Sequence, residues 1–217
     1  MLEGWLLGTS NRMDGSGVYE DEAALVERAR EGDEGAWRVL FERHRDVAYR
    51  VAWRMVGRQE DALDVVQDSF IRAFQGLRDF AGASSFRTWL LRIVSRRAVD
   101  VRRSRRRRAS VSLDGGSGDA ARDLPDGDAA ADPTSRVERA DLAKRLARVL
   151  DELPPEQREA FVLHADGGMK YADIAEVQQV AIGTVMSRIY YARHRLREML
   201  ADLAETHEAG VRKDVQR

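Results

Sequence analysis

Residues 171–196 read YADIAEVQQVAIGTVMSRIYYARHRL, which parses as a helix over Tyr171 to about Val177, a short turn, and a last helix from about Gly183 to Ala204. On the last helix Val185, Ile189, Ala192, Leu196 and Leu200 fall on one stripe at the spacing of a buried helical face. Met186, Ser187, Tyr190, Tyr191 and His194 point the other way, and Arg188, Arg193 and Arg195 lie on the flanks, where guanidinium groups suit phosphates. Helix, turn, helix is the arrangement that places its second helix in a DNA major groove. Three-helix cores that never meet DNA show similar spacing, so this stretch sets an all-helical fold and leaves its use open.

Outward from it the pattern stays helical. Pro154-Pro155 opens a helix that ends at Gly167-Gly168, and Leu142, Leu146, Val149, Leu150 and Leu153 form a further stripe. Asp132-Pro133 suits the start of that domain, Asp at the N-cap and Pro at the first helical position. Before it, residues 109–132 hold four Gly, six Ala, six Asp and no aromatic side chain, too little apolar surface to fold, and read as a flexible acidic linker.

The N-terminal half carries a second set of helices. A short one spans Asp21 to Arg30. A longer one follows Gly32 and ends at Gly57, with Trp37, Leu40, Phe41, His44, Val47, Ala48, Val51, Ala52 and Met55 on one face. A third runs from about Gln59 to Leu77, with Ala62, Val65, Val66, Phe70, Ala73 and Phe74 inward; a fourth runs from Phe86 into the Arg run. On the fourth, Phe86, Leu90, Ile93, Val94 and Val101 share one face, and Thr88, Arg92, Ser95, Arg96 and Arg103 the opposite one. Trp89 lies at the border beside Arg92 and Arg96, placed either as core or as a ring on which an unstacked base can lie. The expected architecture is all-α: a tail over 1–18, a helical bundle over 19–108, the linker 109–132, a helix-turn-helix domain over 133–204, and a tail over 205–217. No stretch alternates as a half-buried strand does.

Charge sharpens this picture once it is counted by segment. The 217 residues carry 36 Lys+Arg against 37 Asp+Glu, a net charge of −1 that names no partner. Yet Ser84–Arg108 holds ten Arg and one Asp, Ala109–Ser135 six Asp and one Arg, and Gln59–Asp68 four acids and no base. The basic block lies on a patterned helix, suited to tracking a phosphate backbone. No Cys is present, which excludes disulfides, thiol chemistry and Cys-ligated metal sites. The four His show no metal-ligand spacing, and His44 reads as a core residue. Sequence motifs of hydrolases, P-loop enzymes and zinc proteases are absent, so neither an enzyme nor a cofactor is expected. No apolar run reaches the roughly 20 residues of a membrane span, and MLEGWLLGTSNR does not read as a signal peptide. A cytoplasmic protein without membrane insertion is the expectation. Met13 makes as natural a start as Met1.

Five segments taken together resemble the extracytoplasmic-function (group 4) sigma factors of bacterial RNA polymerase. They are DALDVVQDSFIRAF (61–74), FAGASSFRTWLLRIVSRRAVDVRR (80–103), LPPEQREAFVLH (153–164), YADIAE (171–176) and GTVMSRIYYARHRLR (183–197). The resemblance spans about Glu22 to Leu203, in the family's order. It implies a region-2 domain that docks on the clamp coiled coil of the largest core-polymerase subunit through Asp64, Gln67 and Asp68. It implies capture of the opened −10 element by Ser84, Ser85, Trp89, Arg92, Arg96 and Arg103. It implies a region-4 domain reading the −35 element through Thr184, Met186, Ser187, Arg188, Tyr190, Tyr191 and Arg193. The polymerase flap region and an anti-sigma factor are the further implied partners. The chain departs from the family pattern at Leu63 (usually Glu), Lys170 (usually a capping Ser), Gln179 (usually Gly), and Met186 and Tyr191 (usually basic). An ordinary helix-turn-helix repressor or activator is the rival reading; it accounts for the second domain but not for the acidic and Arg-rich helices of the first.

Overall fold

A computed structural model of the chain describes residues 21–111, 146–147 and 149–214. Among them every regular element is a helix. The first domain comprises α1 (Glu22–Arg30), α2 (Glu34–Val56), α3 (Gln59–Gly76), a 3₁₀ turn (Leu77–Asp79) and α4 (Phe86–Val111). The second comprises a helical segment at 149–152, α5 (Pro155–Ala165), α6 (Tyr171–Gln178) and α7 (Ile182–Asp214). The expected N-terminal tail, most of the expected linker and the Asp132-Pro133 start lie outside the described residues.

Local chemistry explains where the helices begin and stop. Asp33 caps α2, its Oδ1 accepting from the backbone N–H of Gly35 (2.8 Å) and Ala36 (3.1 Å). Those bonds, with the Arg28 guanidinium, hold the Asp33 carboxyl below its ordinary pKa. Gly57 closes α2 at φ 75°, a left-handed conformation that glycine adopts without penalty. Ser85 caps α4: its Oγ accepts from Thr88 N–H at 3.1 Å and donates to Thr88 Oγ1 at 3.0 Å. Two ends differ from the sequence expectation. α4 runs three residues past Arg108, and α7 continues past Ala204 to Asp214, through a segment free of Pro.

α2, α3 and α4 pack on one another around Leu40, Val51, Trp53, Val65, Phe70, Phe86 and Leu90, all buried. His44 belongs to this core, its Nε2 lying 3.0 Å from Glu22 Oε2. Phe74 does not. It is 43% exposed and touches Trp37 edge-on, ring centroids 5.2 Å apart. At ~100° per residue it lies roughly 120° around α3 from Ala62, at the border of the buried arc. In the second domain Leu150, Leu153, Val162, Leu163, Ile174, Val185, Ile189, Ala192 and Leu196 form the core.

The domains pack together. α5 lies against α2 and α4 of the first domain and against α6 and α7 of its own. A Cβ added at Gly167 would come within 3.1 Å of Leu91 Cδ1, and one at Gly57 within 3.4 Å of the Asp151 carboxylate. This packing buries Leu91 and Ser95 of α4. Ser95 is thus not on a free polar face as expected. A single-helix projection shows one core, whereas α4 serves two.

Candidate nucleic-acid and polymerase interfaces

α3 presents its acids on the side away from the core. Asp64 and Gln67 are exposed, and Leu63 (51% exposed) and Phe74 flank them, so the face mixes one carboxylate, one amide and two apolar side chains. Asp68 is committed within the fold. Its Oδ2 accepts from Arg97 Nε at 2.8 Å and lies 2.7 Å from Arg97 Nη2. Asp61 is drawn to α4 in the same way, 3.2 Å from Arg105 Nη1. Only Asp64 and Gln67 of the expected trio keep their polar groups turned to solvent.

The loop before α4 and the first turns of that helix build an aromatic step. Trp89 is half-buried, stacked obliquely on Phe80 (centroids 4.9 Å, planes 36° apart) and beside Phe86 (5.8 Å). The indole packs close to Gly76, where an added Cβ would lie 3.5 Å away, an ordinary contact. Gly82, at φ 69° with open space around it, lets the loop turn outward ahead of Ser84 and Ser85. Trp89 is thus partly packed on the core and partly accessible to solvent. Arg96 and Arg103 are exposed. Arg92 is not free: its Nη2 lies 2.5 Å from Glu176 Oε2 and 3.4 Å from Asp173 Oδ1, both on α6.

In the second domain α6 and α7 form the helix-turn-helix. The turn passes through Gln179 at φ 53°, ψ 47°, the one non-glycine residue with positive φ among the described residues. Lys170 precedes α6 and makes no capping bond. Both are positions where the sequence departs from the family, and both carry the backbone cost expected for the residue present. On α7 Thr184, Met186, Ser187, Tyr190, Tyr191 and Arg193 are exposed; Ser187 Oγ bonds back to Gly183 O at 3.0 Å. Arg188 points instead to the preceding helix, its Nη1 donating to Gln178 Oε1 at 2.8 Å.

Residues 40–108 match the family model described as sigma-70 region 2, and residues 143–196 match sigma-70 region 4. The chain is 32% identical to the ECF RNA polymerase sigma-E factor of Haemophilus influenzae, over 84% of this chain and 96% of that one. This protein belongs to the ECF RNA polymerase sigma factors. The RNA polymerase sigma-H factor of Pseudomonas aeruginosa is 35% identical over 86% of the sigma factor described here and 97% of its own length. Among solved structures, CnrH in complex with the cytosolic domain of CnrY is similar at a TM-score of 0.62 and 28% identity, covering 83% and 97% of the two chains. As an ECF sigma factor the chain is a promoter-recognition subunit for transcription initiation, a regulatory DNA-binding protein. No helix among its described residues is long and apolar enough to cross a membrane.

Contacts that no sequence pattern singled out lie between the domains. Ser95 Oγ lies 2.5 Å from Glu159 Oε1, and Glu159 Oε2 accepts from Gln178 Nε2 at 2.9 Å. Arg54 faces Asp166 at 4.0 Å, and Arg102 faces Asp151 at 3.9 Å. Burial raises the Asp166 pKa against the pull of Arg54 and Arg50, and burial lowers that of Arg54 against the pull of Asp166. For both partners desolvation outweighs the attraction between them. A signal for the interface existed in the surplus of acids on α5 and α6, but only the fold shows which arginines they meet.

Proposed function

We propose that the sigma factor docks on the clamp coiled coil of the largest polymerase subunit through Asp64 and Gln67, with Leu63 and Phe74 completing the contact. Asp68 acts there by fixing α3 on α4. The loop at 81–85 with Ser84 and Ser85, the Trp89 step, and Arg92, Arg96 and Arg103 take the opened −10 strand. A base leaving the duplex loses stacking worth a few kcal/mol, and an aromatic face returns about 1–3 kcal/mol per base. α7 reads the −35 duplex through Thr184, Met186, Ser187, Tyr190 and Tyr191, with Arg193 and Arg188 on phosphates; Arg188 must first leave Gln178. Region 4 also meets the polymerase flap, and an anti-sigma factor holds the chain when it is idle. CnrH, similar to this chain, is found in complex with the cytosolic domain of CnrY, which supports a protein partner. Such a protein works in the cytoplasm.

The observation that carries this reading is the pairing of faces on one chain. α3 turns a small acidic and apolar patch outward, while α7, in the other domain, turns outward Thr184, Met186, Ser187, Tyr190 and Tyr191. Run-off transcription over a random promoter library, with core polymerase and this chain, tests it. Selected templates should share two elements about two and a half helical turns apart. Duplex binding of equal strength and sequence preference without polymerase would point instead to an ordinary repressor or activator.

A further inference from the structure

His194 lies at the middle of the outward face of α7. Val185 is buried, and His194, nine residues on at ~100° per residue, stands half a revolution from it. Its side chain is 55% exposed. The ring of Tyr190 lies against it, centroids 6.5 Å apart and planes 36° apart, and Tyr191 in turn meets Tyr190 edge-on at 5.5 Å. Along the helix axis His194 is roughly 12 Å beyond Met186. A recognition helix sets its N-terminal residues on base edges, and the major groove is about 12 Å wide. A side chain that far along has passed the base edges and stands at the rim of the groove, among the phosphates. Arg193 and Arg197, exposed on the same turns, suit that place.

One carboxylate fixes the imidazole. His194 Nδ1 lies 3.3 Å from Glu198 Oε2, one turn on. An ionised carboxylate only accepts, so Nδ1 carries a proton and Nε2 is the nitrogen left for a partner. What Nε2 does then depends on the charge of the ring. In the neutral ring it is a bare acceptor, which a phosphate oxygen repels. In the charged ring it carries a second N–H and donates to the phosphate. The charged groups around the ring are Arg193, Arg195, Arg197 and Glu198 on α7 and Glu152 across a cleft, on the segment before α5; Tyr191 and Gln157 also line that cleft. Among the described residues only Glu198 is in ion-pair contact with the ring.

We propose that His194 is a further −35 contact, a phosphate ligand that binds only as the imidazolium, so that seating region 4 on its duplex takes up a proton. Glu198 is its positioning residue, holding Nδ1 so that Nε2 meets the phosphate. At low pH the ring is already charged and the contact is at full strength; as pH rises beyond the range in which the complex retains the proton, the contact is lost. This rests on the assignment of α7 to the −35 duplex, and it adds a contact whose strength follows pH.

The test measures promoter binding by holoenzyme, core polymerase with the full chain, between about pH 6 and about pH 8, where an imidazole changes charge. Two duplexes serve, one selected from the random library and the same one cut short of its −35 segment. On the full duplex wild type should gain about fivefold in affinity from the higher to the lower pH beyond any gain of His194→Gln, whose amide does not titrate. At the lower pH the log–log salt dependence of wild type should be steeper than that of His194→Gln by about 0.9, the increment of one phosphate contact, and at the higher pH the two should coincide. His194→Arg, charged throughout, should bind as tightly at the higher pH as wild type does at the lower. Glu198→Ala should shrink the pH response of wild type; the constant offset from its lost charge is no part of that readout, and an undiminished response would overturn the role given to Glu198. On the shortened duplex wild type and His194→Gln should have the same pH profile. Coincident profiles on the full duplex, or a difference that persists on the shortened one, overturn the proposal. If removing the −35 segment does not weaken wild-type binding, the assignment of α7 to that element fails. If it does, and the full-duplex profiles still coincide, only the role of His194 fails.

Discussion

Asp68 and Arg97 join the helix assigned to polymerase docking to the helix assigned to the −10 strand. One carboxylate oxygen lies within 2.8 Å of two nitrogens of the same guanidinium. Asp64, one turn earlier on α3, has no such tie in the described contacts and is open to solvent. The two acids of one sequence motif therefore have different duties.

Substitution separates them. Asp64→Lys should abolish association with core polymerase and leave the thermal midpoint unchanged. Asp68→Ala should lower the stability of region 2 by about 1 kcal/mol, since a half-exposed pair of good geometry contributes little more, and should weaken docking only as a consequence. Core-affinity titration and thermal unfolding of both variants check this. Unaltered polymerase affinity in Asp64→Lys would remove α3 from the docking face.

The recognition helix should respond to its exposed methionine. Met186 is 53% exposed and packs no core, so its apolar end is available to a thymine methyl group rather than to a guanine edge. Met186→Arg should shift the −35 sequence selected from a random library toward guanine, a good bidentate contact contributing about 1–3 kcal/mol of discrimination. An identical selected motif for wild type and variant would show that this side chain reads no base.

The turn of the helix-turn-helix holds recoverable stability. Gln179 occupies a left-handed conformation that costs an L-residue about 1 kcal/mol or more, whereas glycine adopts it freely. Gln179→Gly should stabilise region 4 by about 0.5–1 kcal/mol, the gain being reduced by the greater freedom of glycine in the unfolded chain. Lys170→Ser, which supplies the missing N-cap, should add about 1 kcal/mol. Denaturant unfolding of each variant measures both effects, and a loss on Gln179→Gly would show that the glutamine makes a contact outweighing the backbone cost.

His44 sets a pH dependence for region 2. Burial lowers its pKa below the ordinary value of 6.5, with Arg87 and Arg43 adding to the effect and Glu22 opposing it. The unfolded chain therefore takes up the proton first as pH falls. The stability due to neutral His44 is complete above about pH 6.5 and is lost as pH falls through the lower folded-state pKa. The thermal midpoint of wild type should thus drop more steeply between about pH 7 and about pH 5 than that of His44→Gln. Parallel curves would assign the dependence to other groups.

The helices were legible because periodicity and capping act locally. Gly57, Asp33 and Gly167-Gly168 bound their helices as their chemistry requires. Positions decided by a neighbour were not legible. Phe74 sits at the edge of the buried arc, where a few tens of degrees decide exposure. Ser95 looked like part of a solvated polar face and is buried by α5 from the other domain. Arg188 looked like a phosphate ligand and is bonded to Gln178. Each depends on a side chain brought in by tertiary packing, which helical spacing does not encode.

Leu63 has a thermodynamic consequence. Where the family pattern noted in the sequence has Glu, this chain exposes an aliphatic side chain on α3, the helix that also exposes Phe74. Covering the two removes apolar surface from water, which gives association a negative heat-capacity change. An ionic contact at the same place would instead be screened as salt rises. The hold of this subunit on its polymerase should accordingly follow temperature more closely, and ionic strength less closely, than that of a relative with Glu at this position.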